Sequence, residues 1–219
     1  MKAYILDVTQ LNKEEIFDEA LSHVKKTRQD KVALLRKKEV KRTSLGAGLL
    51  LEYALQQEDA SYDVETLAYT PKGKPYFLGN DIYFNISHSG EVVLCVTSQK
   101  NIGCDIEKIR ETIPKHLDKI LSKTEMKCFE TLSETEKKKY FFQLWTAKES
   151  IAKWNGAGLA FPFAEITVMD TNEVKSSIIY EETVVYLQSG QENDYMWTIC
   201  SEEKPHEIRL NHKKILDIL

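Results

Sequence analysis

The chain has no run of apolar residues approaching the ~20 that a helical membrane span needs, and Met1 to Asp7 is too short and too soon charged for a secretory leader. Those absences predict a cytoplasmic protein that takes no membrane partner. There is no Gly-x-Gly-x-x-Gly fingerprint and no P-loop, so neither kind of nucleotide fold is indicated. Only four cysteines occur, Cys95, Cys104, Cys128 and Cys200, and no two form a Cys-x-x-Cys pair. They read as reduced core residues, not as a zinc cage or a disulfide framework. Nor is there a basic excess. Thirty Lys and Arg face 34 Asp and Glu, a net charge of −4, which argues against a nucleic-acid partner.

What remains is a globular composition over 219 residues, enough for one large domain or two small ones. The polar link Ser98-Gln99-Lys100-Asn101 marks a boundary, giving halves 1–100 and 101–219. In the first half, Ala3 to Val8 reads as a strand. Asn12 with Glu15 has the form of an N-cap and acidic first turn, opening a helix through Ile16, Ala20, Leu21 and Val24. From Lys25 to Arg42 the basic residues Lys25, Lys26, Arg28, Lys31, Arg36, Lys37, Lys38, Lys41 and Arg42 meet only Asp30 and Glu39. Two readings stay open, a solvated helix face and an anion pocket for a phosphorylated ligand. Val40, Leu49, Tyr53 and Leu55 then carry a helix to about Gln56.

Ser61 to Gly79 reads as strand and turn, ending in the tight loop Pro71-Lys72-Gly73-Lys74-Pro75. Ile82, Phe84 and Ile86 alternate with polar residues in a strand that ends at Ser87-His88-Ser89-Gly90 and pairs with Val92 to Thr97 as a hairpin. The Ser-His-Ser-Gly end is either an ordinary hydrogen-bonded turn or a donor cluster for a phosphate.

The second half opens on Gly103-Cys104-Asp105-Ile106-Glu107. In a strand Asp105 and Glu107 point to one face, while Cys104 and Ile106 point to the other. About forty residues on, Trp145, Glu149 and Lys153 share one helical face. An Asp-x-Glu on an edge strand is commonly a solvated face, and a Glu and Lys four apart commonly a surface pair. Read together, Asp105, Glu107 and Glu149 are three oxygen ligands suited to Mg²⁺ beside a substrate phosphate. Ser122 with Glu125 and Ser133 with Glu136 have the form of capping boxes, the second starting a long helix to about Asn155 that Gly156-Ala157-Gly158 ends. Strands are predicted over Glu165 to Met169, Ser176 to Tyr180, Thr183 to Leu187 and Met196 to Ser201, with a turn at Ser189-Gly190.

Three runs in this order, Phe84-Asn85-Ile86-Ser87-His88-Ser89-Gly90, Ile102-Gly103-Cys104-Asp105-Ile106-Glu107-Lys108 and Trp145-Thr146-Ala147-Lys148-Glu149-Ser150 with Lys153, resemble the Sfp-type 4′-phosphopantetheinyl transferases. The likeness extends to Arg42-Thr43, Gly73-Lys74-Pro75, Ser122 to Glu125 and Gly156 to Pro162, and fades over the last fifty or so residues. Cys104 stands where that family more often has Ile, Val or Leu.

The resemblance implies an α+β fold of two similar halves, each a small antiparallel sheet packed with helices, related by a pseudo-twofold with the active site in the cleft between them. It implies transfer of the phosphopantetheine arm of coenzyme A to a serine of an apo acyl or peptidyl carrier protein, releasing adenosine 3′,5′-bisphosphate. By the same likeness Asp105, Glu107 and Glu149 would hold Mg²⁺ or Mn²⁺, Lys153 would serve the leaving phosphate, and Glu125 would be a further site carboxylate. Arg42, Thr43 and Lys74 would bind the nucleotide end, Ser87 and His88 a phosphate, and Arg28 or Lys31 the 3′-phosphate. Carrier contact would run through Arg110, Ile113, Lys115, Leu117, Lys119, Ile120 and Met126, on a monomer. Two other classes are a catalytically silent coenzyme A or carrier-protein binding module on the same fold, and a different Mg²⁺-dependent phosphoryl or nucleotidyl transferase.

Overall fold

Residues 3–6 of the first strand, β1 (Lys2–Asp7), are buried together, and the strand has a neighbour on either side of it in its sheet. The structure is a computed structural model and describes residues 1–58, 67–79, 81–204 and 207–219. After a 3₁₀ turn at Thr9–Asn12 come α1 (Glu14–His23), α2 (Lys26–Leu34), α3 (Lys38–Gln56), β2 (Leu67–Tyr69), β3 (Pro75–Phe77), β4 (Tyr83–Ser89), β5 (Val92–Ser98) and β6 (Ile102–Lys108). A 3₁₀ turn at Leu117–Lys119 leads to α4 (Lys123–Glu130) and α5 (Glu134–Asn155). Beyond further 3₁₀ turns at Gly158–Ala160 and Phe163–Glu165 lie β7 (Met169–Asp170), β8 (Glu173–Val174), β9 (Ser177–Tyr180), β10 (Thr183–Glu192), β11 (Tyr195–Ser201), β12 (Leu210–Lys213) and α6 (Ile215–Ile218). The class is α+β, with small sheets packed by helices. Of the expected strand and turn from Ser61 to Gly79, residues 61–66 lie outside the described residues.

Two compact units divide the chain. The first comprises Met1–Thr70, Pro75–Lys100 and Glu207–Leu219. Its sheet runs β12-β1-β5-β4, antiparallel except where β12 lies parallel to β1 with His212 opposite Ile5. Leu45, Leu49 and Leu50 of α3 join Leu6, Val93 and Cys95 in one apolar core. The second unit comprises Pro71–Lys74 and Asn101–His206. Its sheet, β6-β11-β10-β9, is antiparallel throughout, and Leu144, Ala147 and Ile151 of α5 share a core with Val185, Met196 and Cys200. All four cysteines are free. Among the described residues no helix is long and apolar enough to cross a membrane.

Both expected capping boxes are formed, at Ser122 with Glu125 and at Ser133 with Glu136, and α5 ends on Gly156 in the left-handed region at φ 75°. Four local expectations are corrected. Asn12 is not an N-cap. It closes the 3₁₀ turn, and Lys13 takes the extended N-cap conformation without a side-chain cap bond. Ser87 to Ser89 are the last three residues of β4, which ends before Gly90 as expected, but each faces a residue of β5, so the turn reading of Ser87 and His88 gives way to strand. The stretch 165–168 is not a strand: Phe163–Glu165 is a 3₁₀ turn, and Val168 N–H donates to the Glu125 side chain. The turn expected at Ser189-Gly190 falls instead at Asn193 and Asp194, with Asn193 at φ 51°. Gly190 serves packing. A Cβ there would come within 2.5 Å of the Trp197 indole that faces it on β11.

Candidate active site

Strand alternation puts Gly103, Asp105 and Glu107 on the same side of β6, and Gly103 shows which side that is. A Cβ on it would meet Ser150 O at 2.1 Å and Trp154 N at 2.4 Å, both backbone atoms of α5. The strand therefore lies directly on the helix, as only glycine allows. Two residues along, Asp105 is buried and accepts a 2.6 Å hydrogen bond from Lys153 Nζ, which α5 presents one turn after Glu149. Cys104 and Ile106, pointing the other way, are fully buried.

Glu149 is pushed up to about 7 by burial first, then by the Asp105 carboxylate, with Glu107 adding to the rise and Lys153 opposing it. Burial alone would lower Lys153, but Asp105, aided by Cys104 and Glu149, holds it above its ordinary value, so it carries a full charge at neutral pH. Glu107 reaches Arg110 at 3.5 Å. Both border a cavity of about 350 Å³ that Ile113, Pro114, Phe141, Phe142 and Trp145 line on its apolar side.

The raised Glu149 carboxyl has a measurable consequence. A carboxyl whose folded pKa exceeds its unfolded value adds stability below about 4.5 and loses it as the pH rises through about 7. Glu149→Gln does not titrate. Thermal melts from pH 5 to pH 8 should show the variant gaining on the parent by on the order of 2 kcal/mol, and a constant difference would contradict the raised pKa.

Among the described residues no three His, Cys, Asp or Glu side chains stand as a ready-made metal cage. The donor set nevertheless fits a hard divalent cation. Asp105 and Glu107 both raise the pKa of Glu149, a repulsion that a cation would relieve, and every donor is an oxygen.

Apart from Lys74, the candidates for the nucleotide end lie in the first unit. Arg42 donates to Glu91 at 2.8 Å and lines a cavity of about 570 Å³ together with Arg36, Lys38, Lys41, Asn12 and Phe17, and with the acidic Glu14 and Asp18. Those three basic partners belong to the charged run from Lys25 to Arg42, in which no motif singles them out. Arg28, Lys31, Thr43, Ser87 and His88 lie outside that lining. Thr43 donates its hydroxyl to Glu39 O and Val40 O in its own helix, and Arg28 donates to Ser44 O. Lys31 is lowered by burial and then by the nearby Arg28. Ser87 is buried and His88 exposed, on opposite faces of β4.

Lys74 is held by the protein's own acceptors. Its Nζ donates to Asn101 Oδ1, Ile102 O and Trp154 O at 2.6, 2.9 and 2.9 Å, so each ammonium proton has a protein acceptor. Burial lowers it to about 8.

Glu125 is 1% exposed and wholly occupied. Its Oε2 accepts from Ser122 N and Lys148 Nζ, and its Oε1 from Val168 N and Met169 N. Lys148, which the sequence reading passed over, is completely buried. Burial lowers its pKa, against the pull of Glu125. A cue existed in its spacing: Leu144, Ile151 and Ala152 stand at helical steps from it, on the core face of α5. Along the segment expected to meet a carrier, Arg110, Lys115 and Lys119 are exposed, while Ile113, Leu117, Ile120 and Met126 pack partly on the second core.

Fold and site together define an α+β enzyme domain with an anionic, lysine-bearing site on one strand and one helix. Residues 101–208 match the family model of the 4'-phosphopantetheinyl transferase superfamily. The 4'-phosphopantetheinyl transferase gsp of Aneurinibacillus migulanus is 32% identical over 178 residues, 81% of this chain and 71% of that protein. The transferase Sfp of Bacillus subtilis is 30% identical over 175 residues, 77% of this chain and 76% of that protein. HetI of Nostoc, also a 4'-phosphopantetheinyl transferase by name, is 33% identical over 99 residues, 42% of each chain. The chain belongs to the 4′-phosphopantetheinyl transferase superfamily.

Proposed function

We propose that this protein moves the 4′-phosphopantetheine arm of coenzyme A to a serine of an apo acyl or peptidyl carrier protein. The observation that carries the reading is the Lys153 ammonium held at 2.6 Å from buried Asp105, one helical turn from a carboxyl pushed up to about 7. A fixed positive charge beside carboxylates whose mutual repulsion a divalent cation would relieve is what phosphoryl-type transfer needs from its protein. In this reading the serine oxygen forms a bond to the β-phosphorus, and the bond from that phosphorus to the oxygen bridging to the α-phosphate breaks. Glu149 is the candidate acceptor of the serine proton. Lys153, charged throughout, stabilises the phosphate of departing adenosine 3′,5′-bisphosphate.

Asp105, Glu107 and Glu149 would hold Mg²⁺ or Mn²⁺, which when bound supplies neutralisation of the diphosphate charge. Arg42, which lines its cavity with three further basic side chains and with Glu14 and Asp18, is assigned to the nucleotide end; Arg28, Lys31, Thr43, Ser87 and His88 complete the proposed coenzyme A set. Glu125 and Lys74, both occupied by protein partners, are assigned to hold the site's framework. The proposal gives coenzyme A's nucleotide end to residues 1–100 and the metal and carrier contacts to 101–219. The exposed Arg110, Lys115 and Lys119, interleaved with apolar residues, suit an acidic carrier met by a cytoplasmic monomer.

Intact-mass spectrometry of apo fatty-acid, polyketide and peptidyl carriers, incubated with the protein, coenzyme A and Mg²⁺, tests this beside an EDTA control. A metal-dependent gain of one phosphopantetheine arm on any carrier is the expected result. No gain on all three, with coenzyme A binding measured separately, would leave a silent binding module.

A further inference from the structure

The stretch between β6 and α4 carries one 3₁₀ turn and no other regular structure, and so does the stretch 161–168 ahead of β7. Neither can be fixed by a backbone ladder of its own. Both are tied to a single pair of charges. Lys148 Nζ donates to Ile120 O, Phe163 O and Ile166 O, each at 2.7 Å, and meets Glu125 Oε2 at the same distance. Glu125 in turn takes Ser122 N–H on one oxygen and the Val168 and Met169 N–H groups on the other. A hydroxyl bond of 2.8 Å from Thr167 to Ser122 joins the two stretches directly.

We propose that the buried Lys148–Glu125 pair is a positioning device for carrier-protein recognition, holding Leu117 to Met126 in the one conformation that the carrier meets. The inference rests on the function proposed above. An ion pair out of water costs so much desolvation that a well-packed apolar pair is often as stable. The attraction between the two charges therefore does not by itself account for them. What apolar side chains cannot do is supply one donor to three part-buried carbonyls and one acceptor to three buried amides. Lys148 also directly precedes Glu149, so the residue that sets the recognition stretch sits on the same turn of α5 as the reaction site. Both Lys148 and Glu125 act through the segments they hold, not on the reacting atoms.

Three variants test it, read by steady-state kinetics and amide hydrogen exchange. Lys148→Met strands a buried carboxylate and should lower the melting temperature by roughly 10 °C. Lys148→Met/Glu125→Leu removes both charges and should regain at least half of that loss. In the double variant, residues 117–122 and 163–169 should exchange faster, and KM for the carrier should rise roughly tenfold while KM for coenzyme A stays within about twofold. Thr167→Val cuts only the outer hydroxyl link, folds as the parent does, and should raise carrier KM roughly threefold. A purely structural pair would lower the active fraction and leave both KM values alone. Parent-like carrier KM and exchange in Thr167→Val and the double variant, or an equal rise in both KM values, overturns the inference. A parent protein that modifies no carrier defeats the proposed function itself, and with it the carrier role of this pair.

Discussion

Glu149→Ala and Asp105→Ala are each expected to lower transfer to the carrier by about 10²–10³-fold, the scale of one lost electrostatic group in a reaction site. The two should differ in stability. Glu149 is a carboxyl that burial and Asp105 push up to about 7, so its removal relieves strain in the free protein, and the Ala variant should melt no lower than the parent at pH 8. Asp105 is the partner of Lys153, and its removal leaves a half-buried ammonium without its 2.6 Å acceptor. That variant should lose on the order of 1–3 kcal/mol. Paired measurements of rate and melting temperature check both statements. A folded Glu149→Ala protein with parental activity would sink the assignment of the site.

The second large effect comes from a residue with no side chain. Gly103→Ala places a methyl group 2.1 Å from Ser150 O and 2.4 Å from Trp154 N, and both obstacles belong to the backbone of α5, so no rotamer change relieves them. The helix must move off β6. A loss of about 3 kcal/mol is expected, the upper end of overpacking costs. Activity should fall further than stability explains. The displaced helix carries Glu149 and Lys153 away from Asp105, and a misplacement of about 1 Å can cost 10²-fold in rate. Denaturant unfolding gives the first number and single-turnover transfer in native conditions the second. Parent-like values of both would mean that strand and helix do not lie in direct contact.

Much of this was legible in the chain because it is written over short distances. Asp105 and Glu107 fall on one face by strand alternation, and Glu149 and Lys153 on one face by the helical repeat. The boxes at Ser122 and Ser133 and the glycine after Asn155 bracket their helices within a few residues. The errors had local causes too. Asn12 offered a cap that a preceding 3₁₀ turn displaced, and Gly190 offered a turn where the fold needed room for Trp197. Nothing in the last fifty residues announced that β12 would return to lie beside β1.

What the sequence determined by itself, then, is which side chains leave a strand or helix in the same direction, because that follows from backbone geometry over two to four residues. What only the tertiary structure decided is where the long cationic side chains end. Lys74 reaches the carbonyl of Trp154, 80 residues away in sequence, Lys148 that of Ile120, 28 away, and Lys153 the carboxylate of Asp105, 48 away. Three lysines that look alike in the chain end on three different sets of acceptors. The reason is that a buried ammonium must find acceptors, and which acceptors are near is fixed by how β6, α5 and the irregular stretches beside them pack.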